Sequence, residues 1–198
     1  MSNLSIIILA AGSSSRLGTP KQLLKLNNKT LLESITTTAL QLSSDVTVVL
    51  GKYYDECCEM IQHLDVNIVK NENFETGMGS SIATGVSAVA SSNSFLILLC
   101  DQPLIPLKHY KKMIERYKQE PNQIVASSYA LKLAVPAIFP NRYKKELMKL
   151  HGDKGAKNII SNNSTVGVVL DKKYAKDIDT KENYEEIQAL MTELSSKL

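Results

Sequence analysis

The sequence predicts an α/β fold, a mostly parallel sheet flanked by helices. Three observations carry this. Short apolar runs alternate with segments of helical period along most of the chain. The runs are apolar at consecutive positions and rich in β-branched residues, as in strands covered on both faces. Several end abruptly in small-residue or acidic loops, and in parallel sheets ligands bind beyond the carboxyl ends of the strands.

The first strand is Ile6-Ile7-Ile8-Leu9, which breaks at Ala10-Ala11-Gly12. Thr30 is placed to cap a helix over Leu31–Leu42, with Glu33 in its first turn. Asp45–Leu50 reads as a second strand closed by Gly51, Tyr53–His63 as a helix, and Val66–Val69 as a short third strand. After a polar loop, Ile82–Ala90 reads as a helix with Ser80 or Ser81 near its N-terminus. Phe95–Cys100 is apolar throughout, which predicts a central strand. Pro106 starts a helix over Leu107–Lys118. Ile124–Ser128 and Ala134–Phe139 read as strands, with Pro136 expected at an edge or a bulge. A helix over Asn141–Leu150, a helix start near Asn158, a strand at Val166–Leu170 and a final helix from about Asn183 complete the pattern.

The 198 residues suit one domain over 1–198 with a core of ordinary size. A net charge of +3, with dispersed lysines and no interleaved aromatics, does not point to a nucleic-acid partner. No apolar run is long enough to cross a membrane. No signal peptide is legible, and with three unframed cysteines the expected location is cytoplasmic. Cys100 reads as a small core residue rather than a nucleophile. The histidines lack zinc-ligand spacing.

The loop from Gly12 to Lys21 has little side chain to keep a ligand from its backbone, and it delivers Arg16 and Lys21. Converging backbone N–H groups with added cations make an anion site. It matches neither a Walker loop nor G-x-G-x-x-G, and Pro20 blocks direct entry into a helix. The plainer alternative is a Ser/Gly turn with two solvated cations. Asp101 follows the central strand, where a metal-bound triphosphate would sit, and Mg²⁺ takes few protein carboxylates. Asp179, within Asp177-Ile178-Asp179, could supply a second carboxylate, or Asp177 and Asp179 could simply cap the last helix. Gly77-Met78-Gly79-Ser80-Ser81 is either a backbone approach to a base or ribose, or a loop with an N-cap serine. Gly152-Asp153-Lys154-Gly155 is either a turn or a lip over a second substrate. Together these groups favour displacement at phosphorus by positioning and charge neutralisation.

Leu9-Ala10-Ala11-Gly12-x-Ser14-x-Arg16-x-Gly18-x-Pro20-Lys21-Gln22-Leu23-Leu24 resembles the signature of the MobA-like nucleotidyltransferases, with their Rossmann-like nucleotide-diphospho-sugar transferase fold. Leu99-Cys100-Asp101-Gln102-Pro103, Val135-Pro136-x-x-Phe139, Gly152-Asp153-Lys154-Gly155-Ala156 and Asp177-Ile178-Asp179-Thr180 resemble the molybdenum cofactor cytidylyltransferase branch, MocA-like. The resemblance implies CMP transfer from CTP to the terminal phosphate of molybdenum–molybdopterin, with release of pyrophosphate. Arg16, Lys21 and Asp101 would be catalytic, and Asp101 and Asp179 would hold Mg²⁺. Leu9, Ala10, Ala11, Gly12, Ser14, Gly18, Gly77, Gly79, Ser80 and Ser81 would bind the nucleotide. Ala-Ala-Gly, where the guanylyltransferases carry Ala-Gly-Gly, leans towards CTP. Gln102, Pro136, Asp153 and Lys157 would meet the acceptor, so residues to about 105 form a nucleotide half and those from about 106 an acceptor half. A molybdenum hydroxylase or its insertion chaperone is the implied protein partner. The alternatives are a cytidylyltransferase for a small phosphorylated alcohol, a sugar-phosphate nucleotidyltransferase, or a non-catalytic accessory protein of a molybdenum hydroxylase.

Overall fold

The structure, a computed structural model, describes residues 4–14, 16–90, 93–130, 132–153 and 155–195. Ser15 and Lys154, each inside a motif noted above, lie outside the described residues.

Strand β1 (Leu4–Ala10) is buried over six of its seven residues. Its side chains alternate between faces: Ile6 and Ile8 join one apolar cluster, Ile7 and Leu9 another. Such a strand needs helices on both sides, and the chain supplies them.

A short hairpin follows, β2 (Lys25–Leu26) and β3 (Lys29–Thr30), which the patterning did not announce. Its turn is Asn27-Asn28, both at positive φ (48° and 65°). That is the backbone a two-residue hairpin demands and asparagine tolerates. Helix α1 (Leu31–Leu40) then starts on a complete capping box. Glu33 N donates to Thr30 Oγ1 at 3.1 Å, and Thr30 N donates to Glu33 Oε2 at 2.9 Å.

Next come β4 (Val46–Leu50), α2 (Tyr54–Ile61), β5 (Asn67–Lys70), α3 (Met78–Ala88) and β6 (Ser94–Leu99). Then follow α4 (Leu107–Gln119), β7 (Ile124–Tyr129), β8 (Lys132–Phe139), α5 (Lys144–Leu147), α6 (Lys157–Asn162), β9 (Thr165–Val169) and α7 (Lys181–Ser195). Helix α3 begins four residues before its expected start, so Ser80 and Ser81 lie inside it and Gly77, at φ 107°, precedes it. The expected helix over 141–150 is a 3-10 turn followed by the single turn of α5.

The seven-stranded sheet has the order β5-β4-β1-β6-β8-β7-β9. Only β8 runs against the rest. As expected, β6 is central. Pro136 is at a bulge but not at an edge, because β8 lies between β6 and β7. Ala126 pairs with Ala137 and Ser127 with Ala134, leaving Val135 and Pro136 without register partners. The bulge removes the need for a ladder N–H that proline lacks.

One face of the sheet packs on α1, α2, α4 and α7 through residues such as Leu32, Ile61, Tyr110 and Ile187. The other packs on α3, α5 and α6 through Ile82, Leu147 and Ile160. Helix α3 lies very close: a Cβ on Gly85 would sit 2.5 Å from Ile7 Cγ2 and 2.8 Å from Val49 Cγ2. Thr30→Ala removes the buried cap of α1. Calorimetry should register a loss of about 1 kcal/mol, or a melting temperature lower by roughly 2–4 °C for a chain of this size.

Candidate active site

From β1 the chain moves outward to β4 and β5, then returns to place β6 on the other side of β1. The connections leaving β1 and β6 therefore diverge, and a crevice opens at their carboxyl ends. A cleft of about 460 Å³ lies there, within the usual range for small-ligand sites. Residues from the loops after β1, β5 and β6 line it, as the sheet-edge argument requires, together with Asp153, Asp177 and Asp179 from the second half of the chain.

The loop after β1 is held from within. Gln22 is 2 % exposed, and its Nε2 donates to the carbonyl oxygens of Ala10 (2.7 Å) and Gly12 (2.8 Å). The Tyr53 hydroxyl donates to the carbonyl of Ser13 at 3.3 Å. These carbonyls would repel an anion, and side-chain donors engage them. Ser14 is buried at φ 53°, and its Oγ accepts the backbone N–H of Lys21 at 2.9 Å. This fixes where the lysine leaves the backbone. Gly18, at φ 77°, closes the turn.

Lys21 Nζ lies 2.7 Å from Asp101 Oδ2 and 3.1 Å from Asp179 Oδ1, while Arg16 Nη2 reaches Asp179 Oδ2 at 3.1 Å. Lys21 and Asp101 are 15 % and 21 % exposed at the side chain, whereas Arg16 is 70 % exposed. Burial lowers the Lys21 pKa, but the Asp101 charge and the hydrogen bonds to both aspartates outweigh it and leave the ammonium above its ordinary value. For Asp179 burial pushes upward, while Lys21 and Arg16 prevail and hold the carboxyl below its usual range. Burial and the Asp101 charge push the Cys100 thiol well up, which suits a cleft-wall residue and not a nucleophile.

Asp177 Oδ1 accepts from Gln102 Nε2 at 2.9 Å. Desolvation raises the Asp177 carboxyl above its ordinary range; Gln102 holds it back, and the Asp101 and Asp179 charges push it further up. The backbone sets this grouping, since the N–H of Ile178 donates to the carbonyl of Asp101 at 2.9 Å.

The opposite wall is a clamp between α3 and the 151–153 turn. Gly79 N donates to Gly152 O at 2.8 Å. A Cβ on Gly77 would meet Asp153 Oδ1 at 2.5 Å, and one on Gly79 would meet His151 N at 2.7 Å. These glycines let two backbones touch. Ser81 faces the cleft, its Oγ accepting from Asn71 Nδ2 at 3.0 Å.

Of the residues singled out in the sequence, Leu9, Ala10, Ala11, Gly12, Arg16, Lys21, Gly77, Ser81, Asp101, Asp153 and Asp179 line this one cleft. Ser14 and Gly79 do not line it but hold its walls, through Lys21 N and Gly152 O, and Gly18 is exposed outside it. Ser80 turns aside: its Oγ donates towards the carbonyls of Asn73 (2.9 Å) and Gly77 (2.8 Å). Gln102 lies beneath Asp177, and neither Pro136 nor Lys157 lines the cleft. Sequence reasoning missed Gln22, Tyr53, Asn71 and the wall residues Phe74 and Glu75. Gln22 stood beside Lys21 in the opening motif, but its two carbonyl partners come from a turn that sequence alone does not draw.

The cleft carries five carboxylates, Glu75, Asp101, Asp153, Asp177 and Asp179, against the two cations Arg16 and Lys21 among the described residues. Asp101 Oδ1 is buried with no hydrogen-bond partner, which an oxygen ligand to a hard cation would resolve. Among the described residues no group of three or more His, Cys, Asp or Glu is arranged to hold a metal alone. One or two carboxylates completed by phosphate oxygens suit Mg²⁺.

Residues 6–166 match the model of the MobA-like NTP transferase domain. The chain belongs to that family. It is thus a nucleotidyltransferase domain by family. It is 32 % identical over 126 residues to nicotine blue oxidoreductase of Paenarthrobacter nicotinovorans, covering 63 % of this chain and 61 % of that protein. It is 31 % identical over 114 residues to the molybdenum cofactor cytidylyltransferase of Escherichia coli, covering 57 % and 59 %. The chain therefore spans about three-fifths of the length of these two relatives. Rv0371c of Mycobacterium tuberculosis aligns at TM-score 0.84 and 25 % identity over 95 % of this chain and 98 % of that one. A second structure of Rv0371c, in complex with manganese, aligns at 0.78 and 22 % identity over 95 % and 98 %. No helix among the described residues is long and apolar enough to cross a membrane.

Asp177→Asn keeps an acceptor for Gln102 and removes a charge facing Asp101 and Asp179. A raised carboxyl pKa contributes stability below the unfolded value and loses it as pH rises through the folded one. In chelator, D177N should therefore melt higher than the native chain near about pH 7, and the gain should shrink as pH falls through the raised Asp177 value and be gone below about 4. An equal gain at both ends would remove charge as the cause.

Proposed function

We propose that this chain transfers CMP from CTP to the terminal phosphate of a molybdopterin-type acceptor bearing molybdenum, releasing pyrophosphate with Mg²⁺ as cofactor. The observation that carries the reading is the meeting of Lys21 with Asp101 and Asp179 at the mouth of a small-residue loop. Cations and carboxylates so mixed are a phosphate-and-metal set, and this favours transfer over the oxidoreductase chemistry named for one relative. Manganese in a structure of the same fold supports a divalent cation here.

In this reading Asp101 and Asp179 hold the cation, which would neutralise and orient the triphosphate. The loop from Ala10 to Gly18 cradles the phosphates, with Arg16 on their exposed side. Lys21 donates to the oxygens on which charge builds in the transition state. An acceptor phosphate oxygen forms a bond to the α-phosphorus, and the bond from that phosphorus to the pyrophosphate oxygen breaks. The attacking oxygen is already anionic, so no general base is required.

Residues to about 105 serve the nucleotide and those from about 106 the acceptor, although Asp179 crosses back to the nucleotide side. Ala11 stands where the guanylyltransferases carry glycine, and that Ala-Ala-Gly resemblance supports CTP; its methyl packs against Gly51, at 2.9 Å from a Cβ built there. The E. coli cytidylyltransferase relative supports the acceptor class, and a molybdenum hydroxylase or its chaperone would receive the product. Three free cysteines accord with the cytoplasm.

Pyrophosphate release measured with CTP or GTP and molybdenum–molybdopterin should favour CTP. Lys21→Ala and Asp101→Ala should each lower turnover by about 10²–10³-fold with the fold intact by circular dichroism. Near-native turnover in either variant would remove that residue from the mechanism, and preference for GTP would overturn the assignment of the base.

A further inference from the structure

The cation site proposed above is filled in this structure by a side chain. We propose that Lys21 is its resident cation: it holds Asp101 and Asp179 together until the divalent ion and triphosphate arrive, and it bars the ion from entering alone. This rests on the reading of Asp101 and Asp179 as the metal carboxylates.

The geometry is that of an occupied site. One ammonium bonds both carboxylates, at 2.7 and 3.1 Å, in a cleft where, among the described residues, five carboxylates face two cations. Arg16, exposed to 70 %, can leave Asp179 for water at little cost. Lys21, exposed to 15 %, cannot. A divalent ion entering by itself, on Asp101 Oδ1 and Asp179, would compete for both carboxylates that hold the lysine and set a second positive charge beside a largely buried ammonium. A triphosphate entering by itself would meet the five carboxylates.

Entering together, the two make an exchange that leaves every charge partnered. The carboxylates trade an ammonium for the metal, and the ammonium trades carboxylates for phosphate oxygens. Lys21 departs from a backbone position that Ser14 Oγ holds at 2.9 Å, so the exchange needs only its flexible side chain to swing. Each ligand thereby strengthens the other's binding, and by linkage the effect is reciprocal.

The test is direct Mn²⁺ binding without nucleotide, read by the electron paramagnetic resonance of free Mn²⁺, for native, Lys21→Met, Lys21→Arg and Asp101→Asn chains. K21M should bind Mn²⁺ at least tenfold more tightly than the native chain, while K21R, which keeps the charge, stays near native. Repeating the titration with CTP should show that the nucleotide enhances Mn²⁺ binding more in the native chain than in K21M. With CTP present, D101N should lose the Mn²⁺ binding that the native chain shows. If K21M without nucleotide binds Mn²⁺ no better than native while D101N loses binding with CTP, the resident-cation role fails and the metal reading stands. If D101N with CTP binds Mn²⁺ as well as native, the metal reading itself fails. Melting curves cover a K21M chain that folds poorly. Restoration by Mn²⁺ supports the proposal, because the ion then replaces the missing cation, and no restoration counts against it.

Discussion

One ammonium joins three distant parts of this chain. Lys21 meets Asp101, 80 residues on, and Asp179, 158 residues on, and no other described contact ties the opening loop so directly to both halves of the protein. The contact is possible because each participant is set by backbone. Lys21 leaves a turn anchored on Ser14, Asp101 leaves the end of the central strand, and Ile178 hydrogen-bonds the Asp101 carbonyl between the two other aspartates. The ion pairs do not build the site; they occupy geometry that the sheet has already established.

That geometry rests on close approach. Helix α3 can lie against β1 and β4 because Gly85 has no side chain there, and it can touch the 151–153 turn because Gly77 and Gly79 have none. Across the cleft, Gln22 uses one buried amide to gather two carbonyls of the loop. One wall is therefore made by absent side chains and the other by one side chain that turns inward. Between them the acidic lining disfavours a bare anion and, under the proposed function, favours a triphosphate that brings its own cation.

Much of this was legible in the residues. The strand and helix alternation, the central place of Phe95–Leu99, the Thr30–Glu33 cap and the convergence of the loops after Leu9, Val69 and Cys100 followed from periodicity, capping chemistry and the rule for ligand edges in parallel sheets. The start of α3 was misjudged because Met78-Gly79-Ser80-Ser81 is intrinsically loop-like, and contact with the 151–153 turn overrides that preference. Pro136 was expected at an edge or a bulge, and register alone decided between them. The Asn27-Asn28 hairpin carries its signal in two asparagines, which tolerate the positive φ of its turn.

By itself the sequence determined most of the elements, the family and the types of group available for chemistry, because those depend on neighbours along the chain and on motifs of fixed spacing. Only the tertiary structure decided which of those groups meet. It chose Asp179 for Lys21 and gave Asp177 to Gln102, although only Ile178 separates the two aspartates. It turned Ser81 into the cleft and Ser80 away from it. The physical reason is that successive residues of a helix point in different directions, which parts Ser80 from Ser81, whereas Asp177 and Asp179 both line the cleft and differ only in the neighbour each meets. The partner each one finds is then set by packing against residues remote in sequence.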